Sequence, residues 1–257
     1  MILCDTHTHL YAKEFDSDRD AMLQRAFDAG VTKILLPNID SGSFAVMKTL
    51  VENYPANCFP MMGLHPCSVK EDYKSELALV EKELFSNYKY YGVGEMGLDL
   101  YWDKTFFEEQ KTAFIQQVKW SIELNLPLSI HTREATDEAI ELLNLPELKG
   151  ARGVFHCFVG TKEQAQKITV LGFHLGIGGV LTFKNSDLGT ILKDIDLQNL
   201  VFETDSPYLA PMPFRGKRNE SAYVQHIAQK LSEIKDIPVE EIARITTQNA
   251  QSIFGLE

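Results

Sequence analysis

The chain has no long apolar run, no paired-cysteine spacing and no surplus of positive charge, and each absence narrows what it can be. No hydrophobic stretch reaches the roughly 18 residues of a membrane span, so no membrane role is expected. Met1-Ile2-Leu3-Cys4 leads directly to Asp5, without a basic stretch followed by an apolar one. A secretory leader is therefore not expected, and a cytoplasmic location is. Cys4, Cys58, Cys67 and Cys157 never fall in C-x-x-C spacing. They read as reduced thiols, three of them in or beside buried strands, rather than as a disulfide framework or a closed zinc site.

Lys and Arg number 25 against 36 Asp and Glu, a formal net charge of −11. A broad electrostatic grip on duplex DNA needs many cations facing phosphates, and this balance argues against it. A compact site that brings its positive charge as metal ions stays open. There is no low-complexity tract, no repeat of 20–50 residues and no long linker.

What is present is a regular alternation. Hydrophobic residues make up 44% of 257 residues, enough for a sizeable core. Strand patterns fall at Ile2–Asp5, Lys33–Leu36, Phe59–Leu64, Tyr91–Gly94, Leu128–Ile130, Gly153–Phe155, Phe173–Gly176 and Leu200–Glu203. Helical patterns lie between them. Phe106–Glu123 is the clearest, with Phe107, Phe114, Val118 and Ile122 near 3.6-residue spacing, and Leu77–Leu84 and Glu134–Leu143 are similar. After the eighth strand come a proline-rich loop, a helix near Ala222–Glu233 and two short helices, Val239–Thr246 and Asn249–Phe254. This predicts an α/β fold: one (β/α)8 TIM barrel over residues 1–257, with extra C-terminal helices. A doubly wound open sheet is the alternative.

Chemistry-bearing residues follow the strands. Asp5-Thr6-His7-Thr8-His9 follows the first, Gly63-Leu64-His65-Pro66 the third and Gly94-Glu95-Met96-Gly97-Leu98-Asp99 the fourth. His131-Thr132-Arg133-Glu134 follows the fifth, His156-Cys157-Phe158 the sixth and Glu203-Thr204-Asp205-Ser206-Pro207 the eighth. Five of seven histidines thus fall at C-terminal strand ends, the rim where a barrel gathers its catalytic groups. His7 and His9, two apart in extended chain, point the same way and can reach one ion. Alone they could be surface histidines. Asp5 could serve as an acceptor that fixes a histidine tautomer. Glu95 lies in an apolar strand and needs a partner, either a metal or a cation such as Arg133. His131 and His156 each end a hydrophobic strand, and Asp205 closes the ring beside the first strand.

Four imidazoles and two carboxylates suit Zn²⁺, Mn²⁺ or Ni²⁺, and less obviously Mg²⁺. Such ions acidify water near neutral pH, and a pair of them about 4 Å apart can orient attacking and leaving oxygens. Asp205 is then the candidate to ligate an ion and accept the proton of the attacking water. His65 could contact an anion, protonate a leaving group or simply pack in its turn. Arg133 suits phosphate by bidentate hydrogen bonds, or else pairs with Glu203 or Glu134. Glu203 is expected to face inward and support a ligand. Arg215-Gly216-Lys217-Arg218 could track a phosphate backbone or be solvated surface. Among Tyr101, Trp102, Phe106 and Phe107, one or two could stack on bases, the rest being core.

Taken in order from Asp5 to about Phe254, these segments, with Arg218-Asn219-Glu220, resemble the TatD family of metal-dependent deoxyribonucleases, within the amidohydrolase-like barrels. The resemblance implies two divalent ions. His7, His9, Glu95 and Asp205 would hold one; Glu95, His131 and His156 would hold the other, with Glu95 bridging. It also implies Mg²⁺- or Mn²⁺-supported hydrolysis of DNA phosphodiesters, exonucleolytic on single-stranded or frayed ends, with Zn²⁺ or Ni²⁺ possible as bound ions. Catalytic roles would fall to Asp205, Glu95 and His65, and phosphate contacts to His65 and Arg133. The chain departs from the family pattern at Val159 (where Ser or Thr is frequent before Gly160), at Met96 and at Ser221. These bear on substrate preference rather than on metal binding. Two other readings stay open: a small-molecule amidohydrolase or phosphoesterase on the same barrel, and a non-catalytic metal-binding scaffold. Nothing marks a dimer helix, so a monomer is expected.

Overall fold

A computed structural model describes residues 1–256. Along the chain run β1 (Leu3–Asp5), α1 (Arg19–Asp28), β2 (Val31–Pro37), α2 (Ser41–Asn53), β3 (Cys58–Met61), α3 (Tyr73–Leu84), β4 (Val93–Asp99) and α4 (Phe107–Leu124). Then follow β5 (Leu128–Arg133), α5 (Thr136–Leu143), β6 (Gly153–Phe155), α6 (Lys162–Val170), β7 (His174–Ile177), α7 (Leu188–Leu192), β8 (Leu200–Phe202), α8 (Val224–Lys235) and α9 (Val239–Phe254). Local chemistry sets several boundaries. Asp40 with Ser43 and Thr161 with Gln164 form capping boxes on α2 and α6. Left-handed Asn125, Asp236 and Gly255 terminate α4, α8 and α9.

Every strand pairing is parallel, in two runs, β1-β2-β3 and β4-β5-β6-β7-β8. The runs join into a barrel at two seams. Met62 bridges β3 to β4, its N–H donating to Gly92 at 3.1 Å and its carbonyl accepting from Gly94 at 3.0 Å. Between β8 and β1, Thr6 N–H donates to Phe202 at 3.0 Å and Asp205 N–H to His7 at 2.9 Å.

Strand alternation divides the core in two. Leu3, Ile34, Leu36, Val93 and Met96 pack outward against the helices. Cys4, Leu35, Phe59, Val154 and Val201 form a second cluster with Ile253, Phe254 and Leu256 at the end of α9. Arg152, just before β6, donates to the Ile253 carbonyl, and Thr247 donates to Ile2, just before β1. The end of α9 therefore closes the N-terminal side of the barrel, leaving the C-terminal mouth for chemistry. Among the described residues, no helix is long and apolar enough to cross a membrane.

Two expectations are corrected. The segments Val239–Thr246 and Asn249–Phe254 are one continuous helix, α9. Its polar middle is satisfied in place: Thr246 Oγ1 donates to Ile242, and the Asn249 amide donates outward to Leu197 and Leu200 at 2.7 and 2.8 Å. The second correction is that β4 and β5 run past their apolar residues to Asp99 and Arg133. Glu95 lies within its strand, as expected, and His131 stands inside β5 rather than at its end. Gly97 permits this, because a Cβ there would strike the His131 backbone.

Candidate metal centre and substrate cavity

The strand ends bring five histidines together around one carboxylate. Glu95 is buried, and its Oε1 faces His156 Nε2 at 2.9 Å, His131 Nδ1 at 3.0 Å and His65 Nε2 at 3.2 Å. Its Oε2 faces His7 Nε2 at 3.1 Å and His9 Nε2 at 3.4 Å. Asp205 Oδ1 lies 3.6 Å from His9 Nε2 and 4.0 Å from His7 Nε2. The His7 and His156 rings stack at 3.8 Å, and His131 Nδ1 is 3.4 Å from His156 Nε2. All six expected ligand residues therefore share one site, and His65 joins them.

The donor set fits divalent ions. Two ligand atoms each about 2.1 Å from an ion, at right angles, lie about 3.0 Å apart. The nitrogen–oxygen spacings around Glu95 are of that size. Three groups, His7-His9-Glu95, His7-His156-Asp205 and His65-Glu95-His131, each gather their ligand atoms within 4.8 Å. This grouping sets His156 with His7 and Asp205, whereas the family resemblance sets it with His131. His156 Nε2 lies against both sets.

Hydrogen bonds at the far ring nitrogens orient the imidazoles. Tyr11 donates its hydroxyl proton to the Pro37 carbonyl at 2.6 Å, so it accepts from His9 Nδ1 at 2.9 Å. His9 Nε2 is then a lone pair facing the centre. Asp99 Oδ2 accepts from His131 Nε2 at 3.0 Å, which leaves the His131 Nδ1 lone pair towards Glu95. His7 Nδ1 meets Ser129 Oγ at 2.9 Å. His65 is the opposite case. Its Nδ1 accepts the Cys67 N–H at 3.0 Å, so Nε2 carries the proton and acts as a donor. This places His65 as a hydrogen-bond donor at the rim rather than as a lone-pair ligand.

Glu203 faces inward, as expected. Its Oε1 accepts the Cys157 N–H and lies 3.5 Å from His156 Nδ1. His156 Nδ1 and Glu203 Oε2 have no hydrogen-bond partner among the described residues, and a Cβ on Gly176 would strike Glu203 Oε2. Asp5 departs from its expected role. Its carboxylate accepts from Thr204 N–H at 2.9 Å, Thr204 Oγ1 at 2.6 Å and Ser221 Oγ at 2.6 Å, and it touches no imidazole. It fastens β1 to the segment after β8.

The electrostatics call for a cation. Burial opposes ionisation of Glu95, but His65, His156 and His7 overcome it and hold the carboxyl well below its ordinary range. Burial likewise opposes Asp205, and the His9 contact leads the factors that lower it nonetheless. Burial disfavours protonation of His9, His131 and His156. Tyr11, Asp205 and Glu95 at His9, Asp99 and Glu95 at His131, and Glu95 and Glu203 at His156 still raise all three above the ordinary imidazole value. Burial pushes His7 down to about 4, keeping it neutral. Buried carboxylates that draw protons onto inward-facing nitrogens are what a divalent ion would satisfy.

Above this cluster opens a cavity of about 560 Å³, reached by Arg133, Trp102 and Tyr208. Arg133 is exposed and forms no ion pair among the described residues, so the expected alternative partners Glu203 and Glu134 are not used. Its guanidinium lies 3.8 Å over the Tyr101 ring and 5.2 Å from that of Trp102. Phe106 and Phe107 pack against the core, whereas Tyr101 and Trp102 are exposed. The basic run divides. Arg218 is bound to Asp18 at 2.6 and 2.8 Å and to the Glu14 carbonyl, so it is not free for phosphate. Arg215 and Lys217 are exposed, and Arg215 covers Phe183.

Sequence reasoning gave no role to Asp99, Tyr11, Ser129 or Tyr208. Asp99 had a signal: it lies four residues beyond Glu95, on the same strand face.

The model of the TatD-related DNase family matches residues 4–255. The metal-dependent hydrolase YabD of Bacillus subtilis strain 168 is 37% identical over 99% of this chain and 100% of its own. The 3′-5′ ssDNA/RNA exonuclease TatD of Escherichia fergusonii is 33% identical over 98% of each chain. The crystal structure of YjjV, a TatD homologue of Escherichia coli K12, superposes with a TM-score of 0.93 at 31% identity, covering 99% of this chain and 98% of that one.

Proposed function

The chain belongs to the TatD-related DNase family of metal-dependent hydrolases, and we propose from that premise that it removes nucleotides from the ends of single-stranded or frayed DNA. The observation that carries this reading is an unpaired guanidinium, Arg133, facing the same cavity as the imidazole–carboxylate cluster. Phosphate is the ligand class that a free planar donor beside divalent cations serves best. The cavity ends on the imidazole–carboxylate cluster at one mouth of the barrel, which suits a strand end better than a continuous duplex. A surface of net charge −11 fits the same limited contact.

His7, His9, Glu95 and Asp205 would hold one ion, and Glu95, His131 and His156 the other, with Mg²⁺ or Mn²⁺ for activity. Bound divalent ions supply Lewis acidity and a more acidic water. Asp205, held anionic beside His9, accepts a proton from the attacking water. Arg133 holds the non-bridging phosphate oxygens. His65, whose Nε2 bears its proton, donates to the phosphate or to the leaving oxygen as the phosphorus–oxygen bond breaks. Tyr11 and Asp99 keep the His9 and His131 imidazoles turned inward. All these groups come from one chain, which supports a monomer as the unit of activity.

The test is cleavage of end-labelled single-stranded and duplex DNA by metal-stripped protein given Mg²⁺, Mn²⁺ or Zn²⁺. A Glu95→Ala variant purified identically is the control. A metal-dependent ladder from one end of the single strand, absent from the control, is expected. Equal cleavage by the control, or none by protein that binds metal, would overturn the reading.

A further inference from the structure

Large apolar side chains stand exposed around the mouth of the metal-centre cavity. Trp102 is 66% exposed and Tyr208 53%, with Leu209 beside them. Scattered exposed aromatics need no explanation. These converge on one cavity, and the segment bearing Trp102 is built to hold the indole there. Asp99 Oδ1 accepts the backbone N–H groups of both Tyr101 and Trp102 at 2.9 Å. Lys70 grips Asp103 at 2.7 Å, and the other Asp103 oxygen accepts the Thr105 N–H at 3.0 Å. The Tyr101 ring supports the indole edge-on, 4.9 Å between centroids. The indole is thus supported but not covered.

The same segment is tied to the metal centre. The second oxygen of Asp99 holds His131 at 3.0 Å, so one carboxylate sets both the indole and a metal-facing imidazole. Arg133, two residues after His131 on β5, lies over Tyr101 with its donors unpaired among the described residues. A flat apolar face, a free guanidinium and an imidazole–carboxylate cluster therefore line one cavity. Base, phosphate and scissile bond of a single nucleotide present the matching chemistry.

We propose that Trp102 is the stacking surface for the terminal nucleobase of the strand being degraded, with Arg133 on the adjoining phosphate. The inference rests on the nuclease reading and adds a base-binding subsite to it. Stacking uses the π-face that every base presents, so the subsite tolerates any sequence and favours purines, whose face is larger. It also gives the enzyme a means to prefer an unpaired end, whose base is free to leave its own stack.

Two measurements test this separately from the nuclease reading. The chain has two tryptophans, and the other, Trp120, is 4% exposed in α4. Titration with dAMP in the presence of Mg²⁺ is expected to quench the exposed Trp102 emission saturably. The base-free analogue 2-deoxyribose 5-phosphate is expected to bind more weakly, by roughly 5- to 150-fold, and to leave the emission unchanged. In Trp102→Leu the remaining Trp120 signal should not respond to dAMP. The second measurement compares kcat/KM for oligonucleotides ending in adenine or in an abasic residue. Wild type should favour the adenine end by a factor in the same range, and Trp102→Leu should abolish the preference. Equal rates on the two ends in wild type, or a preference retained in Trp102→Leu, would overturn the subsite. If no oligonucleotide is degraded under any metal while dAMP still quenches Trp102, the base site stands and the nuclease reading falls. If dAMP leaves Trp102 emission unchanged, the subsite falls whatever the nuclease result.

Discussion

Replacing Asp99 by asparagine keeps the side chain's shape and removes one acceptor oxygen. Burial opposes ionisation of Asp99, but the His131 bond and the Tyr101 and Trp102 amides hold its pKa down to about 2. The wild-type group is therefore a carboxylate throughout any practical assay. In the variant, the one remaining oxygen is claimed by the Tyr101 and Trp102 N–H donors, both at 2.9 Å. The new amide nitrogen then faces His131 Nε2, which must accept rather than donate. The imidazole proton moves to Nδ1, the atom 3.0 Å from Glu95, and the lone pair towards the metal centre is lost. Loss of such a supporting partner costs about 10- to 100-fold in metal affinity, roughly 1.4–2.7 kcal/mol. The assay is competition for Mn²⁺ against a chromophoric chelator, with the circular dichroism spectrum as the check on folding. The expected result is a native spectrum with the ion position beside His131 loosened by that factor and oligonucleotide cleavage reduced with it. Unchanged affinity and unchanged rate would refute the tautomer reasoning.

Arg133→Lys keeps a charge but loses the planar fork and its seat on Tyr101. Its kcat/KM on an oligonucleotide should fall roughly 10- to 100-fold with metal affinity untouched; equal activity would remove Arg133 from phosphate binding. Arg218→Ala should lower the thermal midpoint by a few degrees, corresponding to about 1 kcal/mol for a partly solvated bidentate pair. Its cleavage rate should match wild type, and a large rate loss would return the basic run to the substrate path. Burial pushes the Cys58 and Cys67 thiols up to about 12, raises Cys4 further and lifts Cys157 well above its ordinary value. At pH 8 the folded protein should therefore give no fast reaction with a thiol reagent, and all four cysteines should react after denaturation. One thiol reacting natively at the rate of a free cysteine would contradict this.

The clustering of the candidate metal ligands was legible because each is the wrong residue for its place. A carboxylate in an apolar strand and histidines ending hydrophobic runs have no reason to stand there without a shared partner. The barrel was legible from the alternation of strand and helix patterns, since no other arrangement buries eight short strands with helices between them so simply. What was not legible depends on partners far along the chain. Asp5 turns from the histidines because Thr204 and Ser221 offer it three closer donors. Arg218 looks like part of a basic run until Asp18, 200 positions upstream, takes its guanidinium. β4 continues to Asp99, past the predicted end at Gly94 and through Gly97, because pairing with β5 holds it extended. Once that strand is seen to continue, Asp99 falls on the face of Glu95 and its role follows.

The most direct measurement is an anomalous-scattering map from crystals grown with Mn²⁺. Two peaks are expected, one beside each Glu95 carboxylate oxygen at about 2.1 Å, with His7, His9 and Asp205 around one and His131 and His156 around the other. A single peak, or two peaks of which only one touches Glu95, would contradict a centre built on a shared carboxylate.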